Sequence, residues 1–338
     1  MSTITLTAPQ RVAYRRFRSG TLSLIVSHPP FLNLPIELSL SIFELAILDS
    51  KPSILAVICK SICRVLDIIL YRTVVLGCAK TVQLFHRTTL SKDRAFLSEH
   101  VKKLVVTWLT DRPDRQLHDI VAACSGLRTL IIPSNRLPVR LAAIEPWAGK
   151  DGLSALTVRS FDDGDIYSPR SPQPVVDLST ALTHLRFCEP SDMWQSPSSM
   201  LESYGALPHL SHLQFARRTN ANEDNDMAFA EDVRNILRTR PALKMVVVSI
   251  YLACIGSAAE TVEDSDIWKI MCRVREEDAR VIVVPGQFGE WVKGLEDVKA
   301  LRSGHNPVDF WMSMKRAAKC LQDVKKNGEM NIDPVMSS

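Results

Sequence analysis

An α/β architecture, a small three-helix module followed by an irregular solenoid of strand–helix units, is the fold class that this sequence predicts. Three observations carry it. Residues 34–72 hold apolar residues at helical spacing. A short apolar phrase then recurs seven times along the chain. Helix-like stretches, such as His118–Cys124 and Phe229–Leu237, lie between its copies. The 338 residues are enough to bury a sizeable core. A composition of 46% hydrophobic and 23% charged residues excludes a mostly disordered chain. No apolar run approaches the ~20 residues of a membrane-spanning helix; the longest, Met245 to Ile255, is interrupted by Ser249. The net charge of +4 is too small to argue for nucleic acid.

Residues 1–30 read as a basic, disordered tail. Arg11, Arg15, Arg16 and Arg18 all precede the first acidic residue, Glu37. Such a composition is shared with mitochondrial presequences, so a targeting role stays open. Pro9, Gly20, Pro29 and Pro30 break any long amphipathic helix there.

Residues 31–76 form the helical module. Pro35 suits a first helical turn, and Glu37 sits where a helix N-terminus favours negative charge. Ile36, Leu40, Phe43 and Ile47 recur at helical spacing, with Leu38, Ile42 and Leu45 beside them. A helix apolar around so much of its girth must be covered on more than one side. A second helix carries Ile54, Leu55, Val57, Ile58 and Ile62, and a third runs from Val65 to Tyr71. Three helices this short cannot hide all that surface against one another, so the rest of the chain or a partner must cover it.

The order of landmarks in this module resembles an F-box. Leu34-Pro35-x-Glu37-Leu38, Ile42-Phe43, Ile54-Leu55, Ile58-Cys59-Lys60 and Leu70-Tyr71-Arg72 match the family's successive LPxEL, IF, LL, VCK and LY landmarks. One departure stands out: Ile62 occupies the position where many F-boxes carry Trp. The segment Leu70–Leu76 is similar to the exit strand of F-box-like proteins from mushroom-forming fungi. The resemblance implies that Leu34, Pro35, Leu38, Ile42, Phe43, Leu55, Ile58 and Cys59 bind the adaptor subunit of an SCF-type ubiquitin ligase, and through it the cullin.

Residues 77–324 form the solenoid. The phrase apolar-x-x-apolar-x-apolar places its fourth residue at Leu104, Leu130, Leu156, Leu185, Leu213, Val246 and, less clearly, Ile282. The intervals are 26, 26, 29, 28, 33 and 36 residues. The first four lie within the 20–29 residues of leucine-rich repeats, and the last two exceed it. Asn135 alone stands at the asparagine position of that consensus, so the turns should be ragged. Each unit is too small to bury its own apolar face, and stacking supplies one continuous core. The alternative is an ordinary α/β domain with several parallel strands. Leu130, Leu156, Leu185 and Leu213 should form one buried column.

Residues between the buried ones point to the opposite face of the sheet. That places Arg159, His184, Arg186, His212 and Gln214 together, with Lys103 further along. They are the candidate target-binding set, suited to an acidic or phosphorylated segment if they are more than a solvated face. Residues 159–181 and 217–226 read as exposed loops, and Glu223, Asp224 and Asp226 as a solvated acidic cluster. Val308–Val324, with Phe310, Trp311 and Met314 on one side, should be a helix closing the open end of the solenoid. Residues 325–338 read as a frayed tail.

The eight cysteines are scattered without a CxxC pair, which points to a reducing compartment, cytoplasmic or nuclear. Cys59 and Cys63 share a helix face but lack partners for a metal site. No P-loop, GxGxxG, GxSxG or HExxH pattern occurs; His209 and His212 lack a third group for a triad or metal. The expectation is a substrate-recognition subunit that does no bond chemistry itself, uses no cofactor and touches neither membrane nor nucleic acid. Its target protein is not named by the sequence. A binding scaffold of the same fold, without the ubiquitin link, is the alternative; an enzyme with an unrecognised site is a third reading.

Overall fold

The computed structural model describes residues 34–49, 55, 60–108, 115–134, 152–161, 181–191, 193–219, 222–253, 261–292, 310–317 and 319. Two helices come first, α1 (Ile36–Asp49) and α2 (Lys60–Arg72). Then follow β1 (Thr73–Leu76), α3 (Ala79–Ser91), α4 (Arg94–His100), β2 (Lys103–Val106), α5 (Arg115–Ala123), β3 (Thr129–Ser134) and β4 (Ala155–Ser160). The chain continues through β5 (His184–Glu189), α6 (Pro197–Glu202), β6 (His212–Arg218), α7 (Glu223–Thr239), β7 (Met245–Tyr251), α8 (Asp266–Glu277) and β8 (Val281–Pro285).

The protein is α/β. Among the described residues eight strands make one sheet in the order β1 to β8, and each neighbouring pair is parallel. The register aligns Val74, Leu104, Leu130, Leu156, Leu185, Leu213 and Val246 across seven strands. From Leu104 to Val246 every member of this row is at most 1% exposed. The column read from the spacing is therefore present, with β1 as a further strand before it.

Two differences from the sequence reading appear at the far end. Val246 pairs with Val281, not with Ile282, which pairs with Val247. A one-residue shift flips a strand's faces. Val281 and Val283 accordingly join the main core, while Ile282 faces the other way. Val281 to Val284 is a continuous apolar run, so its period cannot fix which residue points where. The second difference lies before α7. Arg217 and Arg218 belong to β6 rather than to a loop, and α7 already begins at Glu223, capped by the Asn222 side chain on the Asp224 amide. Asp226 is buried, paired with Arg217, not solvated. The cap and three acidic residues in the first turn are the helix-start signals that were present in the sequence.

One face of the sheet and the helices α3 to α8 share a single core. Leu117, Ile120 and Val121 of α5, Phe229 and Val233 of α7, and Ile267 and Met271 of α8 all reach it. At the other face Val105 and Ile131 meet Trp291, while Met245, Val247 and Ile282 meet Phe310, Trp311 and Met314. This double cover explains why all seven residues of β7 are buried.

The units are also stitched by a polar ladder. The Arg128 carbonyl accepts from the amides of Ser154 and Ala155, the Ser154 carbonyl from Thr183 and His184, and the Thr183 carbonyl from Ser211 and His212. The hydroxyls of Ser154, Thr183 and Ser211 donate to the same carbonyls at 3.0, 2.9 and 3.1 Å. Leu153-Ser154, Leu182-Thr183 and Leu210-Ser211, which open the third to fifth phrases, are the sequence trace of this ladder.

Candidate interaction surfaces

Helix α1 separates its apolar residues into two stripes. Phe43 and Ile47 pack with Ile62, Val65, Leu66 and Ile69 of α2, and Leu40 and Leu55 lean on the same cluster. Leu34, Leu38, Ile42 and Leu45 are 38%, 53%, 46% and 63% exposed. Leu38, Ile42 and Leu45, offset by four and three residues, lie along one side of α1, and Leu34 just precedes the helix. Of the adaptor residues implied by the motif, Leu34, Pro35, Leu38 and Ile42 are exposed and Leu55 is half-buried. Phe43 is a correction: it is 7% exposed and anchors α1 to α2. Leu45, absent from the implied set, belongs to the bare stripe. Ile58 and Cys59 lie outside the described residues. Ile62, at the position of the usual Trp, is 1% exposed and helps join the two helices.

The five candidate target-binding residues come together on the sheet face away from the main core. His184 lies beside His212, and Arg186 beside Gln214, in the strand register. Each already serves the fold. Arg159 Nε donates to buried Glu189 at 2.6 Å, and Glu189 also accepts the Gly289 amide at 2.7 Å. Gly289 has φ of 76°, a conformation that suits glycine. Arg186 Nε donates to Gln214 at 2.7 Å, and Gln214 in turn donates to Ser249 at 2.9 Å. The Arg186 guanidinium lies 3.6 Å from the Phe310 ring centroid.

The two histidines stack with ring centroids 4.4 Å apart, and Trp311 lies 5.6 Å from one and 5.2 Å from the other. Their tautomers follow from the ladder. Thr183 and Ser211 give their hydroxyl protons to carbonyls, so the His184 and His212 Nδ1 atoms, each 2.8 Å from those hydroxyls, are donors. Thus residues 310–317, helical and expected to close the end of the sheet, lie instead across the face of β5 to β8. The reason is chemical: Phe310, Trp311 and Met314 find Met245, Val247 and Ile282 there, an apolar patch the phrase pattern did not reveal. Further along, burial holds the Lys103 ammonium below its usual range.

A third feature was not visible in the sequence. At the carboxyl ends of β5 to β7 lies a cavity of about 290 Å³. Phe187, Met200 and Phe229 are apolar on its wall; Arg217, Thr219 and Asn225 are polar. Arg217 is held by Asp226, at 2.9 and 2.7 Å, and by the Trp194 ring, 4.6 Å from its guanidinium. No motif marks these residues; three separate strand ends and a helix start bring them together.

Among the described residues no three His, Cys, Asp or Glu side chains group to hold a metal, and no helix is long and apolar enough to cross a membrane. Cys63, Cys78, Cys124, Cys188 and Cys272 are free thiols. Burial pushes the Cys124 thiol up to about 12, so it packs as a small apolar group. Comparison of the chain with protein-family models, curated proteins and solved structures gives no match.

Proposed function

We propose that the chain is a substrate-recognition subunit of an SCF-type ubiquitin ligase: the N-terminal module docks the adaptor and the strand–helix body, a leucine-rich-repeat-like solenoid, holds the target. The observation that carries this reading is the bare stripe of Leu34, Leu38, Ile42 and Leu45, left over after α1 has packed on α2. Three large apolar side chains along one helix, with Leu34 just before its start, are in water what a partner surface supplies cover for. The F-box resemblance gives the partner's identity. In this reading the protein works in the cytoplasm or nucleus, where free thiols persist, and catalyses nothing itself.

Truncation of a central interface anchor costs ~2 kcal/mol or more. Replacing Leu38 and Ile42 together by Asp should therefore reduce adaptor recovery in a pull-down at least about tenfold, with the sheet's unfolding transition unchanged. Recovery equal to that of the parent chain refutes the docking assignment. A protein-binding scaffold without the adaptor contact is the second reading, and Ile62 in place of the usual Trp favours it. Failure of the parent chain itself to recover adaptor would select it.

A further inference from the structure

We propose that the cavity at the carboxyl ends of β5 to β7 binds a carboxylate carried on an apolar body, and that its occupant is the free C-terminus of a target chain ending in an apolar residue. The inference rests on the target-binding role proposed above only for the source of the carboxylate.

The wall divides into an apolar part and a set of donors. Phe187, Met200 and Phe229 supply the apolar part. Arg217 uses Nε and Nη2 on Asp226, which leaves Nη1 for another acceptor. The Thr219 hydroxyl oxygen accepts the Ala253 amide at 3.0 Å, so its proton remains to be donated. The Asn225 side-chain amide makes no hydrogen bond among the described residues, and it lines the same space. Glu189, the carboxylate on the wall, is already satisfied by Arg159 and the Gly289 amide. Donor-bearing side chains that line a cavity with an apolar wall suit an acceptor with an apolar neighbour.

Size and charge narrow the ligand. The cavity of about 290 Å³ falls just short of the roughly 300–1,000 Å³ that holds drug-sized ligands. It suits one or two terminal residues rather than a nucleotide or a large cofactor. Arg217 shares its charge with buried Asp226, so a single negative charge spread over two oxygens fits better than a phosphate dianion, for which unshared arginines are the usual partners. The side of entry is supplied by Met193 and Trp194, both exposed and both on the cavity wall.

The test uses the full chain and fluorescein-labelled hexapeptides of glycine and serine ending in leucine, with a free or an amidated C-terminus, read by fluorescence polarisation. The free-carboxyl peptide should bind at least tenfold more tightly than the amide. Asn225→Asp, nearly isosteric and in the first turn of α7, should abolish that preference by repelling the carboxylate while the melting temperature is retained. Arg217→Lys keeps the ion pair with Asp226 but removes the planar donor pair, and should lower affinity several-fold without changing the amide's binding. Equal binding of the two peptides, binding of neither, or a preference unaffected by both variants overturns the proposal. Competition by hexanoate as strong as by the free-carboxyl peptide assigns the cavity to small carboxylates and removes the target C-terminus as its occupant. No adaptor takes part, so failure of the docking assignment leaves this result independent.

Discussion

The N-terminal pair α1–α2 and the strand–helix body are both rich in apolar residues, yet they bury them differently. In the body, Leu104, Leu130, Leu156, Leu185 and Leu213 each sit between neighbouring strands and under helices, at 0–1% exposure. In the pair, α2 also leans on the body, through Tyr71 against Phe96 and Asp67 paired with Lys92, whereas α1 packs on α2, burying Phe43 and Ile47 while Leu38, Ile42 and Leu45 face water. Stacked units share their cover with the next unit along; α1, at the outer edge of the pair, has a second side that its packing on α2 leaves exposed. Apolar content alone therefore does not tell core from interface. The number of elements within reach does.

The contrast can be broken most directly in the column. Leu185→Ala removes a side chain with 0% exposure between Leu156 and Leu213. It should cost ~2–5 kcal/mol, measured as a shift of the denaturant midpoint at constant slope. A loss under about 1 kcal/mol would mean that the column is not shared cover. Phe43→Ala should be costly too, about 3 kcal/mol, but the loss should be confined to the pair. Limited proteolysis should then cut between residues 34 and 72 while the body stays intact; simultaneous loss of the body would show that the two regions are one cooperative unit. The smallest effect belongs to the bare stripe. Leu45→Ser, at 63% exposure, should change stability by no more than about 0.5 kcal/mol, read from the thermal midpoint. A loss comparable to Phe43→Ala would place Leu45 under cover.

The residues that were legible in the sequence are those whose neighbours are set by repetition. The phrase placed its fourth residue correctly from Leu104 to Val246 because each strand meets its copy, and alternation then decides which face is buried. It also brought His184, Arg186, His212 and Gln214 onto adjacent strands. The reading slipped where alternation is absent, at Val281–Val284. Phe43 was misassigned for a related reason: the motif marks Ile42-Phe43 as a unit, but adjacent residues on a helix point about 100° apart, and here Ile42 faces water while Phe43 turns to α2.

Local chemistry along the chain by itself determined the α/β class, the parallel strand column and the apolar N-terminal helix, since hydrophobic period and even spacing are properties of single segments. The tertiary structure alone decided that residues 310–317 lie across β5 to β8, that Arg159 and Arg186 are spent on Glu189 and Gln214, and that Arg217, Thr219 and Asn225 edge one cavity. Those outcomes depend on which distant side chains the fold brings within hydrogen-bond or van der Waals reach. Both forces fall away within a few ångströms, and no periodicity along one segment encodes the position of another.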